Sequence, residues 1–205
     1  MEKLIFLIVI LNPFSQVIYL DGLISSLTGR DFVKLHFKAS LLCLGILVLF
    51  GLLGDPIMKN VFQVSLSSLQ IFGGIIIMYV AHQYITSGAP ENLFDSKKIS
   101  ELPPAISMPY IIGPGSIWVS ILIGREYSMP LTIAIICGAL AINSLFITIY
   151  TIVYKKLKTR HIPFLGKFFT ILMRTNALFI GAIAIEMILK GISSAVIDFG
   201  FIRKW

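Results

Sequence analysis

Residues 60–90 read NVFQVSLSSLQIFGGIIIMYVAHQYITSGAP and contain no Asp, Glu, Lys or Arg. A helix needs roughly 20 apolar residues to cross a hydrocarbon core about 30 Å thick, and this stretch is long enough to supply them. A membrane β-barrel would instead need many segments of about ten residues in which apolar and polar residues alternate. The run Ile75-Ile76-Ile77-Met78 does not alternate, so the stretch predicts a transmembrane helix.

The composition of the whole chain points the same way. Of its 205 residues, 57% are hydrophobic and 13% are charged, and the mean hydropathy is +0.91. Soluble domains are typically about 25% charged, because a surface that faces water has to be solvated. The chain has too few polar residues to cover a soluble body of this size, which excludes an ordinary soluble domain.

Further stretches of similar length predict more spans. We expect an all-α membrane protein with six transmembrane helices in a single membrane domain, residues 1–205. The predicted spans are residues 4–20, 37–55, 66–85, 104–124, 131–154 and 168–190. Lys3 and the apolar run after it resemble a signal peptide. No small-x-small cleavage site follows, however, so we expect a retained span.

The chain divides into two halves at the polar stretch 86–104, and each half has three predicted spans. Asn12-Pro13-Phe14-Ser15 interrupts the first span of one half, and Gly113-Pro114-Gly115-Ser116 interrupts the first span of the other at the matching position. Proline removes a backbone donor and clashes with the preceding turn, so both helices should be broken. Because three is an odd number, the sequence predicts two inverted three-helix repeats, residues 1–86 and 104–192.

Interrupted helices at matched positions of inverted repeats are typical of the substrate sites of secondary transporters. The freed N–H groups attract anionic groups and the freed C=O groups attract cations, which predicts a zwitterion-compatible site without charged side chains. A single kink has a simpler reading, since proline and glycine are common in transmembrane helices. The residues expected to line a substrate pathway are Asn12, Pro13, Ser15, Gln16, Gly113, Pro114, Gly115 and Ser116.

Small and polar residues in other spans are assigned to packing or support. The small residues expected at close helix contacts are Gly73, Gly74, Ala177 and Gly181. The polar residues that could support the pathway are Gln70, Asn143, Arg174, Asn176 and Glu186. For Arg174, snorkelling to the lipid headgroups is an equal alternative. For Glu186, a local ion pair with Lys190 is favoured over a role in proton coupling.

The sequence carries no catalytic, cofactor or metal motif, so we expect neither an enzyme nor a cofactor nor a metal site. A Ser116–His82 hydrolase dyad is a weak alternative, because nothing in the sequence places the two residues together. The net charge of +7 does not require nucleic acid, since Lys and Arg are preferred in cytoplasmic loops. Ten of these residues fall on one side of the predicted topology and six on the other, which predicts that both termini lie outside.

Three segments resemble the MarC family (UPF0056-type) of bacterial inner-membrane proteins. They are Asn12-Pro13-Phe14-Ser15, Leu69-Gln70-Ile71-Phe72-Gly73-Gly74-Ile75, and Met108-Pro109 followed by Gly113-Pro114-Gly115-Ser116-Ile117. The resemblance implies a multi-pass inner-membrane protein with six transmembrane helices and periplasmic termini. It also implies a distant relation to LysE-type exporters. It implies no known substrate.

The expected function is therefore a small-molecule transporter or exporter. The expected partners are the lipid bilayer and an unidentified small solute, with a homo-oligomer left open. The alternative is a non-transporting membrane assembly or stress-associated protein.

Overall fold

The computed structural model describes residues 2–88, 111–157 and 162–198, and within these ranges the chain is helical and has no strand. The predicted all-α class is confirmed. In chain order the helices are α1 (Glu2–Leu11), α2 (Pro13–Tyr19), α3 (Asp21–Ser26), α4 (Gly29–Pro56), α5 (Leu66–Thr86), α6 (Pro114–Glu126), α7 (Met129–Lys156) and α8 (Ile162–Asp198). A π-helical segment, Ile57–Val61, extends α4.

Five helical segments of the described chain are long and apolar enough to cross a membrane. They are Glu2–Tyr19, Gly29–Val61, Leu66–Thr86, Met129–Lys156 and Ile162–Ile197. The predicted fourth span, residues 104–124, begins outside the described residues. Its described part is α6, whose 13 residues are fewer than the roughly 20 needed to cross the core. A total of six spans therefore stays a prediction.

The helix α4 is longer than the predicted span 37–55. It begins at Gly29 because Thr28 caps it: the Thr28 hydroxyl oxygen accepts a hydrogen bond from the Asp31 backbone N–H at 3.2 Å. Arg30 and Lys34 in its first turns are exposed. A criterion based on charge-free windows ends a span at such residues, although exposed charges at a helix end do not interrupt the helix.

The helices α5 and α8 pack against each other as an antiparallel pair along their length. A β-carbon at Gly74 would lie 2.9 Å from the Ala184 carbonyl oxygen, and one at Gly191 would lie 3.1 Å from the Ser67 carbonyl oxygen. Further along, a β-carbon at Gly181 would contact the Ala81 β-carbon at 3.6 Å. Glycines at these crossings let the two backbones approach closely, as small residues do in membrane helix pairs.

The helix α4 packs against both α6 and α7. At the α4–α6 crossing, a β-carbon at Gly124 would overlap the Gly51 carbonyl group, so the two backbones meet there. The helix α7 also contacts α1, where Gly138 lies beside Leu4. The short helix α2 contacts both α7 and α8, and α6 contacts α1, α4, α5 and α7.

Charged residues gather at the two ends of this bundle. At one end, Lys3 forms an ion pair with Glu126 at 3.0 Å, and Asp55 lies 3.7 Å from Arg125. At the other end, the Lys155 ammonium group donates a hydrogen bond to the Ser25 carbonyl oxygen at 3.2 Å. Which end faces the cytoplasm stays a prediction.

Candidate functional site

The first helix break is a single residue wide. Asn12 adopts a left-handed backbone conformation, with φ of 49°, between α1 and α2. Its side-chain oxygen accepts a hydrogen bond from the Ser15 N–H at 3.3 Å, and the Ser15 hydroxyl donates to the Asn12 carbonyl oxygen at 2.9 Å. Pro13 occupies the first position of α2, where a backbone N–H would have no partner within that helix, so the lack of an N–H in proline costs no hydrogen bond of α2. The sequence at the break thus supplies its own cap.

Two carbonyl groups near the break accept hydrogen bonds from side chains. The Gln16 amide donates to the Leu11 carbonyl oxygen at 2.8 Å, and the Asn176 amide of α8 donates to the Val9 carbonyl oxygen at 3.4 Å. The sequence predicted that freed carbonyls would be available to a cation. In this structure the Leu11 and Val9 carbonyl oxygens each accept one side-chain amide hydrogen bond, and the attraction of a cation to the freed carbonyl groups stays a prediction.

A buried amide pair links the break to α7. The Asn143 amide donates to the Gln16 side-chain oxygen at 3.0 Å, and both side chains are fully buried. Within the described residues, the Asn12 side-chain nitrogen and the Asn143 side-chain oxygen have no hydrogen-bond partner. The buried centre thus retains one unpaired donor and one unpaired acceptor, although buried polar groups are generally hydrogen-bonded.

The second break precedes α6, which begins at Pro114 with Gly113 as its cap residue. The Gly113 N–H donates to the Ser116 hydroxyl oxygen at 3.0 Å, and the distance from that hydroxyl to the Gly113 carbonyl oxygen is also 3.0 Å. A serine at this position thereby ties the start of the helix to the residue before it. The helix α6 begins at the predicted second break, and the part of the predicted span before residue 111 lies outside the described residues.

The two breaks lie next to each other in the fold. A β-carbon at Gly115 would lie 3.1 Å from the Ile10 side chain and would overlap Ile77 of α5. Ile10 precedes Asn12 by two residues, so the start of α6 is packed against the last turn of α1. A β-carbon at Gly73 would lie 3.9 Å from the Pro114 carbonyl oxygen, which places the α5 glycine beside the same break.

Six of the eight residues predicted to line a pathway are buried, and Gly113 and Pro114 are partly exposed. Asn12, Ser15, Gln16 and Ser116 are each no more than 3% exposed, and Pro13 is also buried. Below α2, the rings of Phe14, Phe146, Phe169 and Tyr150 form a packed aromatic cluster with centroid distances of 4.8–6.5 Å. The first break is therefore packed among buried side chains, and the second is partly open at Gly113 and Pro114.

The remaining predicted support residues separate into two groups. Gln70, Asn143 and Asn176 are buried on inward faces of their helices. Arg174 and Glu186 are exposed on the outer face of α8, and this corrects their assignment as supports of the pathway. Helical periodicity explains the separation, because Asn176, Ala177, Ile180, Ala184 and Met187 form the buried stripe of α8. Glu186 does form the predicted local ion pair with Lys190, at 3.1 Å.

A second buried polar chain was missed at the sequence level. Between α4 and α7, the Ser144 hydroxyl donates to the Ser40 hydroxyl oxygen at 2.8 Å, and Ser40 lies 3.4 Å from His36 Nε2. His36 is 1% exposed, and Phe32 stacks on its ring. The spacing of His36 and Ser40 by four residues, one helical turn, was the available signal, but His36 fell just outside the predicted span 37–55.

No described feature supports the alternative hydrolase dyad. The Ser116 hydroxyl is engaged with Gly113, and His82 is exposed. Among the described residues, no group of three His, Cys, Asp or Glu side chains could hold a metal ion.

The helical fold and its buried polar breaks define an integral, multi-pass membrane protein. The pattern that characterises the MarC family of integral membrane proteins matches residues 1–196, so the chain belongs to that family. The resemblance seen in the sequence is confirmed.

Relatives with the UPF0056 family name align over nearly the full chain. A UPF0056 membrane protein of Pyrococcus horikoshii is 21% identical, with 97% of this chain and 95% of the relative covered. A UPF0056 membrane protein of Methanocaldococcus jannaschii is 29% identical, with 92% of this chain and 93% of the relative covered. One of Buchnera aphidicola subsp. Baizongia pistaciae is 25% identical, with 92% of this chain and 90% of the relative covered. No solved structure matches the chain.

Proposed function

We propose that this protein is a small-molecule transporter of the inner membrane, with its substrate pathway between the two helix breaks. The observation that carries the proposal is the meeting of the breaks, where Gly115 at the start of α6 packs against Ile10 at the end of α1. Breaks in the middle of membrane helices are tolerated where neighbouring groups or a lined cavity satisfy the backbone, and transporters place their substrate sites at such positions.

The proposal includes six spans in two inverted repeats, with both termini in the periplasm. The helix contacts support a two-fold relation between the halves. The pair α5 and α8 and the pair α4 and α7 are the third and second predicted spans of each half, and each pair is in contact. The contact of α4 with α6 likewise has a counterpart in the contact of α7 with α1. A distant relation to LysE-type exporters fits the same arrangement.

In this proposal the structure is the closed state of an alternating-access cycle. Opening would move the short helix α2 and its aromatic cluster, and would expose the unpaired Asn12 nitrogen and Asn143 oxygen to a solute. The burial of the central residues also favours one alternative: a non-transporting assembly or stress-associated protein, whose polar centre serves only to hold the helices together.

The experiment compares metabolite levels inside and outside cells that lack the protein with those of cells that overproduce it. The solute that changes is then followed into proteoliposomes containing the purified protein. Pro13→Ala and Pro114→Ala restore a backbone donor at each break, and we expect both to lower transport at normal expression levels. Pro130→Ala is the matched control, because Pro130 is exposed near the start of α7.

If Pro13→Ala and Pro114→Ala both keep full transport, the pathway does not run between the breaks. If no solute responds to deletion or overproduction, and none moves in proteoliposomes, the non-transporting alternative is favoured instead.

A further inference from the structure

An apolar groove of about 530 Å³ lies on the outer surface of the bundle, away from the central breaks. It runs along α4 between Gly45 and Leu53 and is closed on the other side by Gly124 of α6 and Met129 of α7. Leu49 and Leu53 are each 48% exposed, so the groove opens toward the surrounding lipid. Its volume falls in the range of about 300–1,000 Å³ that is typical of small-molecule sites.

The glycines account for the shape of the groove. A β-carbon at Gly45 would meet no atom within 4 Å, so the space beside it is open. Gly124 lets the backbones of α4 and α6 meet, and its missing side chain leaves the floor of the groove flat. From Leu53 to Gly45 the groove extends over eight residues, roughly 12 Å along the helix axis. This is most of the depth of one leaflet, about 15 Å of the hydrocarbon core.

One end of the groove is positively charged. Asp55, just after Leu53, pairs with Lys59 at 2.9 Å and lies 3.7 Å from Arg125, the residue after Gly124. Two cations thus face a single carboxylate and leave an excess of one positive charge. The side chains of Lys59 and Arg125 are 57% and 47% exposed, so both can reach a ligand.

Two other carboxylates lie near this end, and the ion pairs of Lys59 and Arg125 involve neither of them. Glu126 is held by Lys3 at 3.0 Å, and Glu2 precedes Lys3 on α1. The structure therefore combines a lipid-facing apolar groove with a basic group at the end where a phospholipid headgroup would lie.

We propose that this groove is a binding site for an anionic phospholipid. One acyl chain lies along α4 from Leu53 toward Gly45, and the phosphate contacts Arg125 and Lys59. Burial of methylene groups stabilises the chain against neighbouring protein surface, and charge-assisted hydrogen bonds hold the phosphate. Basic pockets between transmembrane helices select anionic over zwitterionic headgroups by the same electrostatics. The site is independent of the proposed transport function.

The test measures binding of two lipids that share acyl chains but differ in headgroup. The purified, delipidated full-length protein in neutral detergent is titrated with phosphatidylglycerol or phosphatidylcholine, and retained lipid is counted by native mass spectrometry. We expect the native protein to prefer phosphatidylglycerol. Arg125→Gln and Lys59→Gln should each weaken that binding about fivefold, since a cation near an anionic lipid surface contributes on the order of 1 kcal/mol.

Two further variants separate the chain from the headgroup. Gly45→Leu places a side chain in open space within the groove, so the protein should fold normally while binding of both lipids falls. Lys190→Gln is the matched control, because Lys190 is an exposed cation in an i,i+4 ion pair elsewhere on the surface. It should leave the preference unchanged.

The proposal is overturned if the native protein binds both lipids equally, or if Lys190→Gln weakens binding as much as Arg125→Gln. It is also overturned if Gly45→Leu binds phosphatidylglycerol normally. Free glycerol 3-phosphate binding as tightly as phosphatidylglycerol would show that the acyl chain, and therefore the groove, contributes nothing.

Discussion

Replacing Gln16 by leucine tests whether the buried amide chain holds the first break together. Gln16 donates to the Leu11 carbonyl oxygen at 2.8 Å and accepts from the Asn143 amide at 3.0 Å. Gln16→Leu removes both bonds and leaves two buried groups unpaired, where neither lipid nor water replaces them. The side chain is 0% exposed, so relaxation toward the surface is not available.

The expected loss follows from the two bonds taken separately. A buried polar group left without its partner costs about 1–3 kcal/mol, which applies to the Leu11 carbonyl. Hydrogen bonds between membrane helices contribute less, about 0.6 kcal/mol on average and at most about 1.7, which applies to Asn143. We therefore expect Gln16→Leu to lower the free energy of unfolding by about 2–4 kcal/mol.

The assay is equilibrium unfolding by SDS in mixed micelles, followed by the fluorescence of the buried Trp118 and by circular dichroism. Gln70→Leu is the matched control, since Gln70 is also a buried glutamine but takes no part in the hydrogen bonds that join Leu11, Gln16 and Asn143. Asn143→Leu should lower the free energy of unfolding by less than Gln16→Leu does, because it also removes the unpaired, buried side-chain oxygen of Asn143. The double variant should show a coupling energy of about 0.6–1.7 kcal/mol. Equal losses for Gln16→Leu and Gln70→Leu, or no coupling with Asn143, would refute the network.

Three further predictions use the same unfolding measurement. Gly74→Ala should lower the free energy of unfolding by about 1–3 kcal/mol, because the new methyl group would press on the Ala184 carbonyl oxygen. Gly166→Ala is its control and should be neutral or slightly stabilising, because a β-carbon at Gly166 would meet open space. Asn12→Ala should be less stable than Asn12→Gly by about 1–2 kcal/mol, because the alanine β-carbon clashes in the left-handed backbone conformation and glycine has no β-carbon. Equal stabilities of the two variants would contradict the left-handed conformation of residue 12. Burial raises the pKa of Asp21 above its ordinary value of 3.8. The folded state therefore holds this proton more tightly than the unfolded chain, so stability should fall as pH rises from about 3.8 through the raised pKa, and Asp21→Asn should remove that part of the pH profile.

The helical class and the positions of the breaks follow from the sequence by simple physics. Charge-free stretches of about 20 residues have few alternatives to a membrane helix, and a proline within such a stretch favours a helix that starts anew at that residue, as at Pro13 and Pro114. The exposed charges of the first turns of α4 led to a predicted start at residue 37, because no sequence rule separates a snorkelling lysine from a loop lysine.

Long-range pairing could not be predicted in this way. The contact between Gln16 and Asn143 joins residues 127 positions apart, and it depends on how α7 is rotated about its axis. In the same way, the rotation of α8 about its own axis decides that Arg174 and Glu186 face outward while Asn176 faces the break. The apolar residues of these helices surround the whole circumference, so their periodicity does not specify the rotation. It is set by packing against neighbours such as the glycines of α5.

The glycine contacts between α5 and α8 have a mechanical consequence. Where backbones touch at Gly74 and Gly191, a turn of either helix about its own axis would drive a bulky side chain such as Ile188 or Ile71 into the opposite main chain. Sliding is opposed in the same manner, since the contacts recur at both ends of the pair. We therefore expect α5 and α8 to move as one rigid unit, and the short helices that adjoin Asn12 and Pro114 to be easier to displace.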